Sequence, residues 1–209
     1  YTPSAEAEEI FYTSVKNIAS TCAVLIISGN HDDYVRLTAA QALSEELNIY
    51  TVGNNLKALD CKKRGSCYPV ESDGGYAVFA NDAGERVYIN TLPYPNEARF
   101  KEGKSDESFA VKIKRWIDYG ERGKKEKIPS VFLSHIFAAG GKAGDSEREI
   151  DLGGARAVGL NLFPECDYSA LGHLHKRQKL GENIYYSGAI MRFTFDEAGQ
   201  EKSVSVFDI

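Results

Sequence analysis

Long apolar runs are absent from this 209-residue sequence. No stretch approaches the roughly 20 consecutive apolar residues that a membrane-spanning helix needs, and no signal-peptide pattern is present, so we expect no association with a membrane. Internal repeats, low-complexity tracts and heptads are also lacking. A hydrophobic content of 43% and a charged content of 26% are ordinary for a soluble globular protein. The length allows one α/β domain with a proper core, with or without a small appendage.

Cysteine is sparse, with four residues in the chain. Cys61 and Cys67 flank a basic loop at a spacing that fits no common zinc motif, which favours a surface loop with two thiols over a metal site or a disulfide. Cys22 lies in an apolar run and is expected to be a small core residue. This usage favours a cytoplasmic protein. The net charge of −5 argues against a general nucleic-acid binder, although local basic patches remain possible.

Histidine is equally rare, and every copy sits at or just past the end of a short apolar run. Such runs, when they end at glycine or a polar residue, are typical of buried parallel strands. Function gathers at the carboxyl ends of strands in open α/β sheets, so this placement predicts one shared site, which we expect to be a metal centre. The runs cover residues 21–33, 128–135 and 167–175, and the histidines are His31, His135, His173 and His175.

Asn30 and His31 adjoin at the end of the most hydrophobic run. An asparagine side-chain oxygen can ligate a hard cation, and a neighbouring histidine that points elsewhere can protonate a leaving group. Alternatively, this sequence is a turn or a helix N-cap in which Asp32 or Asp33 caps a helix over 34–47. Both interpretations can hold together, because they use different residues.

His173 and His175 are two residues apart, so in an extended chain their side chains point the same way. Neutral imidazole is a good ligand for manganese, zinc or iron, and such a pair can share a dinuclear site or bind adjacent metals. The Gly-His-x-His pattern alone is a modest signal, and a lone His135 would more often be structural. The three motifs together favour a metal site.

The remaining pattern predicts alternating helices and strands, with one βαβ unit near the amino terminus and a β-hairpin after it. A glycine-rich, charged segment at 138–154 is interpreted equally well as a substrate-covering loop or a surface loop. The expected helices cover 4–20, 34–47 and 106–119; the expected strands cover 22–28, 49–52, 76–80, 86–90 and 128–135, with antiparallel hairpins from 184–187, 191–195 and 203–207.

The histidine motifs resemble the later motifs of the calcineurin-like metallophosphoesterases. Longer matches resemble one branch of that superfamily, the SbcD family of nuclease subunits of the bacterial SbcCD complex. The resemblance runs over nearly the whole chain. The residues that carry it are Gly-Asn-His-Asp at 29–32, His135 and Gly-His-x-His at 172–175, with the longer matches at 92–95, 146–151, 167–178 and 186–198.

This resemblance implies an α/β fold, a four-layer sandwich with mixed sheets flanked by helices. It implies two divalent metal ions, Mn²⁺ above all, with Asn30, His135 and His173 holding one ion and His175 belonging to the other. His31 would be the acid that protonates the leaving oxygen or the residue that stabilises the transition state. The implied reaction is metal-dependent hydrolysis of phosphodiester bonds in DNA, as a double-strand exonuclease and single-strand endonuclease.

Two motifs of the family are absent from the sequence: an Asp-x-His, and a Gly-Asp-x-x-Asp that supplies the bridging carboxylate. The Gly-Asp at 144–145 is a poor substitute, because it follows His135. Tyr1 resembles the residues just after the second motif. We therefore expect residues 1–209 to be a nuclease domain that lacks its amino-terminal strand region, with the capping and SbcC-binding regions absent. By itself such a chain should bind the first metal poorly and be nearly inactive.

The implied partners are DNA, the SbcC ATPase subunit and a second copy of the chain. The dimer would use the helices at 4–20 and 34–47, although ordinary core-facing crossover helices are an equal alternative. Two other functions remain open, hydrolysis of a small phosphodiester or nucleotide and a non-catalytic scaffold. Contacts that position DNA phosphates without reading sequence are expected from Arg148, Lys176, Arg177 and Arg192.

Overall fold

The computed structural model describes residues 3–103, 105–125, 127–144 and 157–209. Over these ranges it contains no helix with the length and apolar content needed to cross a membrane. The helices are α1 (Ala5–Ala19), α2 (Tyr34–Leu37), α3 (Gln41–Ser44) and α4 (Phe109–Glu121); the strands are β1 (Val24–Ile27), β2 (Ile49–Val52), β3 (Cys67–Asp73), β4 (Tyr76–Asn81), β5 (Arg86–Leu92), β6 (Ser130–His135), β7 (Tyr168–Gly172), β8 (Gln178–Lys179) and β9 (Ile184–Tyr186).

The amino-terminal βαβ unit forms largely as predicted. The hydroxyl of Ser4 caps α1 by accepting from the amide of Ala7, and Glu8 lies in the first turn, where a negative charge complements the helix dipole. β1 and β2 pair in parallel as a two-stranded sheet, and α1 contacts both strands. Cys22 is exposed, so its expected place in the core is wrong; it lies in the turn after α1, with its amide bonded to the carbonyl of Ile18.

The single helix expected over 34–47 is divided into α2, α3 and a 3₁₀ turn at Glu45–Leu47. The hydroxyl of Thr38 donates to the carbonyl of Tyr34 at 3.0 Å, the acceptor that a continuing helix would offer to the Thr38 amide. Threonine side chains compete with the backbone in this way, and here the competition ends the helix after one turn.

The second sheet has seven strands in the order β3-β4-β5-β6-β7-β9-β8. The predicted β4–β5 hairpin is confirmed, and β5, β6, β7 and β9 run parallel to one another. The sequence did not predict β3. Cys67 begins that strand and is half-buried, whereas Cys61 is exposed, so only Cys61 fits the expected surface loop.

The strand expected at 184–187 is confirmed as β9, but the antiparallel hairpins expected with 191–195 and 203–207 are wrong. β9 pairs in parallel with β7 and antiparallel with the short β8. Residues 191–195 and 203–207 form no strand. The guanidinium of Arg192 donates to the carbonyl of Gln200, which closes the chain between them into a loop, and the ring of Phe207 stacks on Tyr168 at 3.7 Å. Side-chain contacts replace backbone pairing there.

Four layers result, in the order α1, the two-stranded sheet, the seven-stranded sheet and α4, and the predicted α/β architecture is confirmed. One core fills the space between the sheets, with Tyr50 of β2 and Phe79 of β4 in edge-to-face contact at 5.5 Å. A second core lies between the large sheet and α4, where Ile113 and Ile117 pack with Phe132 of β6. Burying these rings and branched side chains supplies most of the driving force for folding.

Candidate metal centre

Three donor side chains meet at the carboxyl ends of β1, β6 and β7. Asn30 follows β1, His135 is the last residue of β6, and His173 follows β7. The Nε2 atom of His135 lies 2.9 Å from Oδ1 of Asn30, and the imidazole rings of His135 and His173 are 5.3 Å apart, nearly perpendicular. The structure therefore brings together, from two different sheets, the three residues expected to share one ion.

Two glycines leave room for the ring of His135. A Cβ atom added to Gly29 would lie 2.7 Å from Cε1 of that ring, and one added to Gly172 would lie 2.9 Å from Nδ1. Real Cβ atoms do not approach other atoms so closely, so any larger residue at either position would displace the imidazole. The glycines of the Gly-Asn-His-Asp and Gly-His-x-His motifs therefore help to place His135, which belongs to neither of these two motifs.

His173 turns the chain out of β7. It has a left-handed backbone conformation, with φ of 106°, and its ring is buried beside Tyr94, with ring centroids 6.4 Å apart. The extended chain expected over 173–175 is therefore not found, because a positive φ lies outside the extended region of the backbone. His175 meets different neighbours: its Nδ1 lies 3.2 Å from Oε1 of Glu197, and its ring is 5.0 Å from that of Phe193.

The loop over 29–32 leads into α2 and also brings Asn30 into contact with His135. Asp33 caps α2, accepting from the amides of Val35 and Arg36, and Asp32 accepts from the amide of Gly29 at 2.6 Å. His31 lies exposed on this loop, adjacent to Asn30. The capping interpretation is confirmed for Asp33. Asn30 does not take part in the cap, and its side chain contacts His135.

Sequence reasoning missed the residue that holds this loop. The guanidinium of Arg99 donates to the carbonyls of Gly29 at 2.9 Å and Asp32 at 2.8 Å, and it stacks against the rings of Tyr34 and Tyr94. Tyr94 belongs to a stretch that carried the family resemblance, so a signal existed for it. Arg99 had none, because its partners lie about seventy residues away along the chain.

The donor set fits part of a metal centre. Imidazole nitrogens and an amide oxygen are suitable ligands, and 2.9 Å separates two atoms that could share one ion, whose bonds to such ligands are about 2.0–2.2 Å. Among the residues that the structure describes, no group of three or more histidine, cysteine, aspartate or glutamate side chains is arranged to hold a metal.

The residues expected to contact DNA differ in their surroundings. Lys176 and Arg177 are exposed and directly follow His175. Arg192 is also exposed, but its guanidinium is engaged by the carbonyl of Gln200. Arg148 falls outside the described residues. Only Lys176 and Arg177 combine exposure with a position next to the candidate centre.

An α/β sandwich with a mixed seven-stranded sheet, and with histidine and asparagine side chains at adjoining strand ends, is a fold of the metallophosphoesterase type. No protein-family model matches the chain. The chain is 33% identical over 220 residues to the SbcD component of the nuclease SbcCD of Bacillus subtilis (strain 168), and 28% identical over 214 residues to the protein of the same name from Staphylococcus epidermidis. Each comparison covers 99% of this chain and 52% of the relative.

The chain therefore spans about half the length of the curated relatives it matches. The similarity confirms the resemblance to the SbcD family that the longer sequence matches indicated.

Proposed function

We propose that this chain is part of a metal-dependent DNA nuclease that hydrolyses phosphodiester bonds during the processing and repair of DNA ends. The observation that carries the proposal is the convergence of Asn30, His135 and His173 at adjoining strand ends. The names of the relatives, which are components of a nuclease, support the choice of DNA as substrate.

In this proposal Asn30, His135 and His173 hold one divalent ion and His175 holds the second, with Mn²⁺ as the metal. Two such ions would supply an activated water and neutralise phosphate charge. His31 is exposed next to Asn30, and in this proposal it would donate a proton to the leaving oxygen. The bridging carboxylate would come from the family motifs that residues 1–209 lack.

The proposed partners are DNA, the SbcC ATPase and a second copy of the chain in the cytoplasm. The exposed apolar residues of the first helices support the dimer: only Val15 of α1 is buried, and α2 and α3 bury no residue. This favours a docking surface over the alternative of core-facing helices. The exposed side chains are Ile10, Phe11, Tyr12, Ile18, Val35 and Leu43.

The test compares the chain alone with the chain joined to an amino-terminal segment that bears Asp-x-His and Gly-Asp-x-x-Asp motifs. Both are assayed with Mn²⁺ on linear duplex DNA and on bis-p-nitrophenyl phosphate. We expect the extended protein to degrade DNA from its ends and the chain alone to be at least tenfold slower. His135→Ala should abolish the activity of the extended protein.

Two outcomes would contradict the proposal that the chain is part of a DNA nuclease. Hydrolysis of the small ester without cleavage of DNA would favour a phosphodiesterase acting on small molecules. DNA cleavage that persists unchanged after His31→Ala and without divalent metal would not come from this site, and a non-catalytic scaffold would then be the better interpretation of the fold. Lys114→Met, on the exposed face of α4, is the matched control and should leave both activities unchanged.

A further inference from the structure

Glu197 is a carboxylate in an unusual place. It lies in a 3₁₀ turn near the carboxyl end of the chain, and its side chain is only 1% exposed. A carboxylate removed from water is costly unless it is paired and hydrogen-bonded, so its partners define what it does. Nothing in the sequence motifs assigned it a role in the histidine site.

The partners of Glu197 surround His175. Oε1 lies 3.2 Å from Nδ1 of His175, while Oε2 accepts from Nζ of Lys202 at 2.7 Å and from the amide of Phe193 at 3.3 Å. Lys202 also donates to the carbonyl of His175 at 3.2 Å, and the amide of Ala189 donates to the same oxygen at 2.9 Å. The imidazole and the backbone of His175 are thus both fixed by the 189–202 segment.

This arrangement selects one tautomer of His175. A neutral imidazole carries a proton on one nitrogen and a lone pair on the other, and an ionised carboxylate can only accept. The nitrogen that faces Glu197 must therefore be the protonated one, Nδ1, and the lone pair lies on Nε2. Carboxylates that accept from the far nitrogen of a histidine orient metal ligands in this way.

We propose that Glu197 is a positioning residue that fixes His175 as its Nδ1–H tautomer and so presents Nε2 as the ligand atom. The part of this inference that concerns a metal rests on the proposed function. The tautomer itself is a property of the metal-free chain, and it can be measured without any nuclease activity. Lys202 balances the charge of the carboxylate and keeps Oε2 from competing for the imidazole.

The test is the tautomer of His175 in the isolated chain, read by two-bond ¹H–¹⁵N correlation NMR at about pH 8.5, well above the ordinary histidine pKa of about 6.5. The wild type should show Nδ1–H. In the Glu197→Gln variant, Lys202 and the amide of Phe193 both need an acceptor, so the amide oxygen faces them and the NH₂ group faces His175. We expect this variant to show mainly Nε2–H.

Two controls separate the proposal from a general effect on folding. Glu201→Gln changes an exposed neighbour, and Lys202→Met leaves the carboxylate as an acceptor, so both variants should keep Nδ1–H. A wild-type chain with Nε2–H, or a folded Glu197→Gln variant that keeps Nδ1–H, would overturn the proposal. If Glu197→Gln does not fold, the wild-type and Lys202→Met spectra test the proposal instead, since both should show Nδ1–H.

A titration with Mn²⁺ alone tests the metal role separately, and it uses the protein extended by the Asp-x-His and Gly-Asp-x-x-Asp motifs, because the chain by itself is expected to bind metal poorly. Paramagnetic broadening of the His175 ring signals is expected in the wild type, and Glu197→Gln should need about 10–100-fold more Mn²⁺ for equal broadening. A correct tautomer without broadening would contradict the proposed metal site and leave the positioning of the ring intact. Equal broadening in both proteins at the same Mn²⁺ concentration would show that Glu197 does not affect metal binding by His175.

Discussion

The Nε2 atom of His135 lies 2.9 Å from Oδ1 of Asn30, although 105 residues separate them in the sequence. The contact joins the two sheets of the fold, because Asn30 follows β1 of the small sheet and His135 ends β6 of the large one. The packing of β1 against β6 therefore sets the separation of the two donors. Preorganisation of this kind lowers the cost of binding, since fewer groups have to be ordered.

Gly29→Ala should displace the imidazole of His135. The new Cβ would lie 2.7 Å from Cε1, and the small sheet and the ring cannot both keep their positions. Overpacking of this kind typically costs about 1–3 kcal/mol, or about 2–4 °C in Tm for each kcal/mol in a chain of this size. The measurements are Tm by calorimetry and the ring signals of His135 by NMR.

Gly103→Ala is the matched control, because an added Cβ there meets no atom within 4 Å. It should leave both Tm and the His135 signals unchanged. Ring signals that stay in place in a folded Gly29→Ala variant would contradict the close packing of the ring against that glycine.

Arg99→Met should loosen the 29–32 loop. The substitution removes the donors to the carbonyls of Gly29 and Asp32 and the cation that stacks on Tyr34 and Tyr94, but it keeps much of the side-chain volume. Hydrogen bonds from a charged donor contribute about 1.5–3 kcal/mol when buried, and partial exposure of Arg99 reduces this to about 1 kcal/mol. Hydrogen exchange of the Asp32 amide should become several-fold faster.

Arg99→Lys separates the contribution of the two hydrogen-bond donors from that of the positive charge. A lysine keeps the charge but cannot span both carbonyls with a planar fork, so it should restore only part of the protection. Full protection in Arg99→Met would show that the loop is held by Asp32 and its own turn instead.

The elements that the sequence predicted well are those that local chemistry determines. α1 has a capping serine and an acidic first turn, and the β4–β5 hairpin has alternating side chains around an Asn-Asp-Ala-Gly turn. Both occur within a few residues of their predicted bounds. The site residues were also recognisable, because rare histidines at strand ends are visible without any knowledge of tertiary contacts.

The features that the sequence could not predict depend on contacts that carry no periodic signal. The hydroxyl of Thr38 interrupts an otherwise helical pattern, and the positive φ of His173 separates it from His175. Arg99 and Glu197 act on the site through backbone carbonyls and a buried ion pair. Such residues become visible only when the strands that they connect are placed side by side.

Arg64→Met should destabilise the chain at neutral pH and much less in acid. The guanidinium of Arg64 is 9% exposed and contacts Glu46 at 2.5 Å and Asp60 at 2.8 Å. Hydrogen bonds from Arg64 lower the pKa of both carboxyls below their ordinary values. Groups with a lowered folded pKa stabilise the fold above the unfolded pKa of about 4, and that stabilisation is lost as the pH falls through the lowered values.

Urea unfolding at pH 7 and near pH 3 measures this effect. The difference in unfolding free energy between wild type and Arg64→Met should be large at pH 7 and should narrow in acid. Arg36→Met removes a more exposed partner of Glu8 and should change stability little at either pH. An equal difference at both pH values would show that Arg64 contributes through packing and not through its carboxylate partners.

Tyr186→Phe should destabilise the segment that follows His135. The hydroxyl of Tyr186, fully buried on β9, donates to the carbonyl of Ile136 at 2.6 Å and accepts from the amide of Ala138 at 2.8 Å. Burial raises the pKa of this phenol, so the hydroxyl keeps its proton and its role as a donor at any physiological pH.

Removal of the oxygen leaves two buried backbone groups without this partner, at a cost of about 1–3 kcal/mol, and Tm should fall by several degrees. Tyr185→Phe is the internal control, because the neighbouring hydroxyl contacts the carbonyl of Glu182 at a half-exposed position and should matter by less than about 0.5 kcal/mol. If both variants have the same Tm as the wild type, the 136–138 segment is held by its apolar packing alone and not by the hydroxyl of Tyr186.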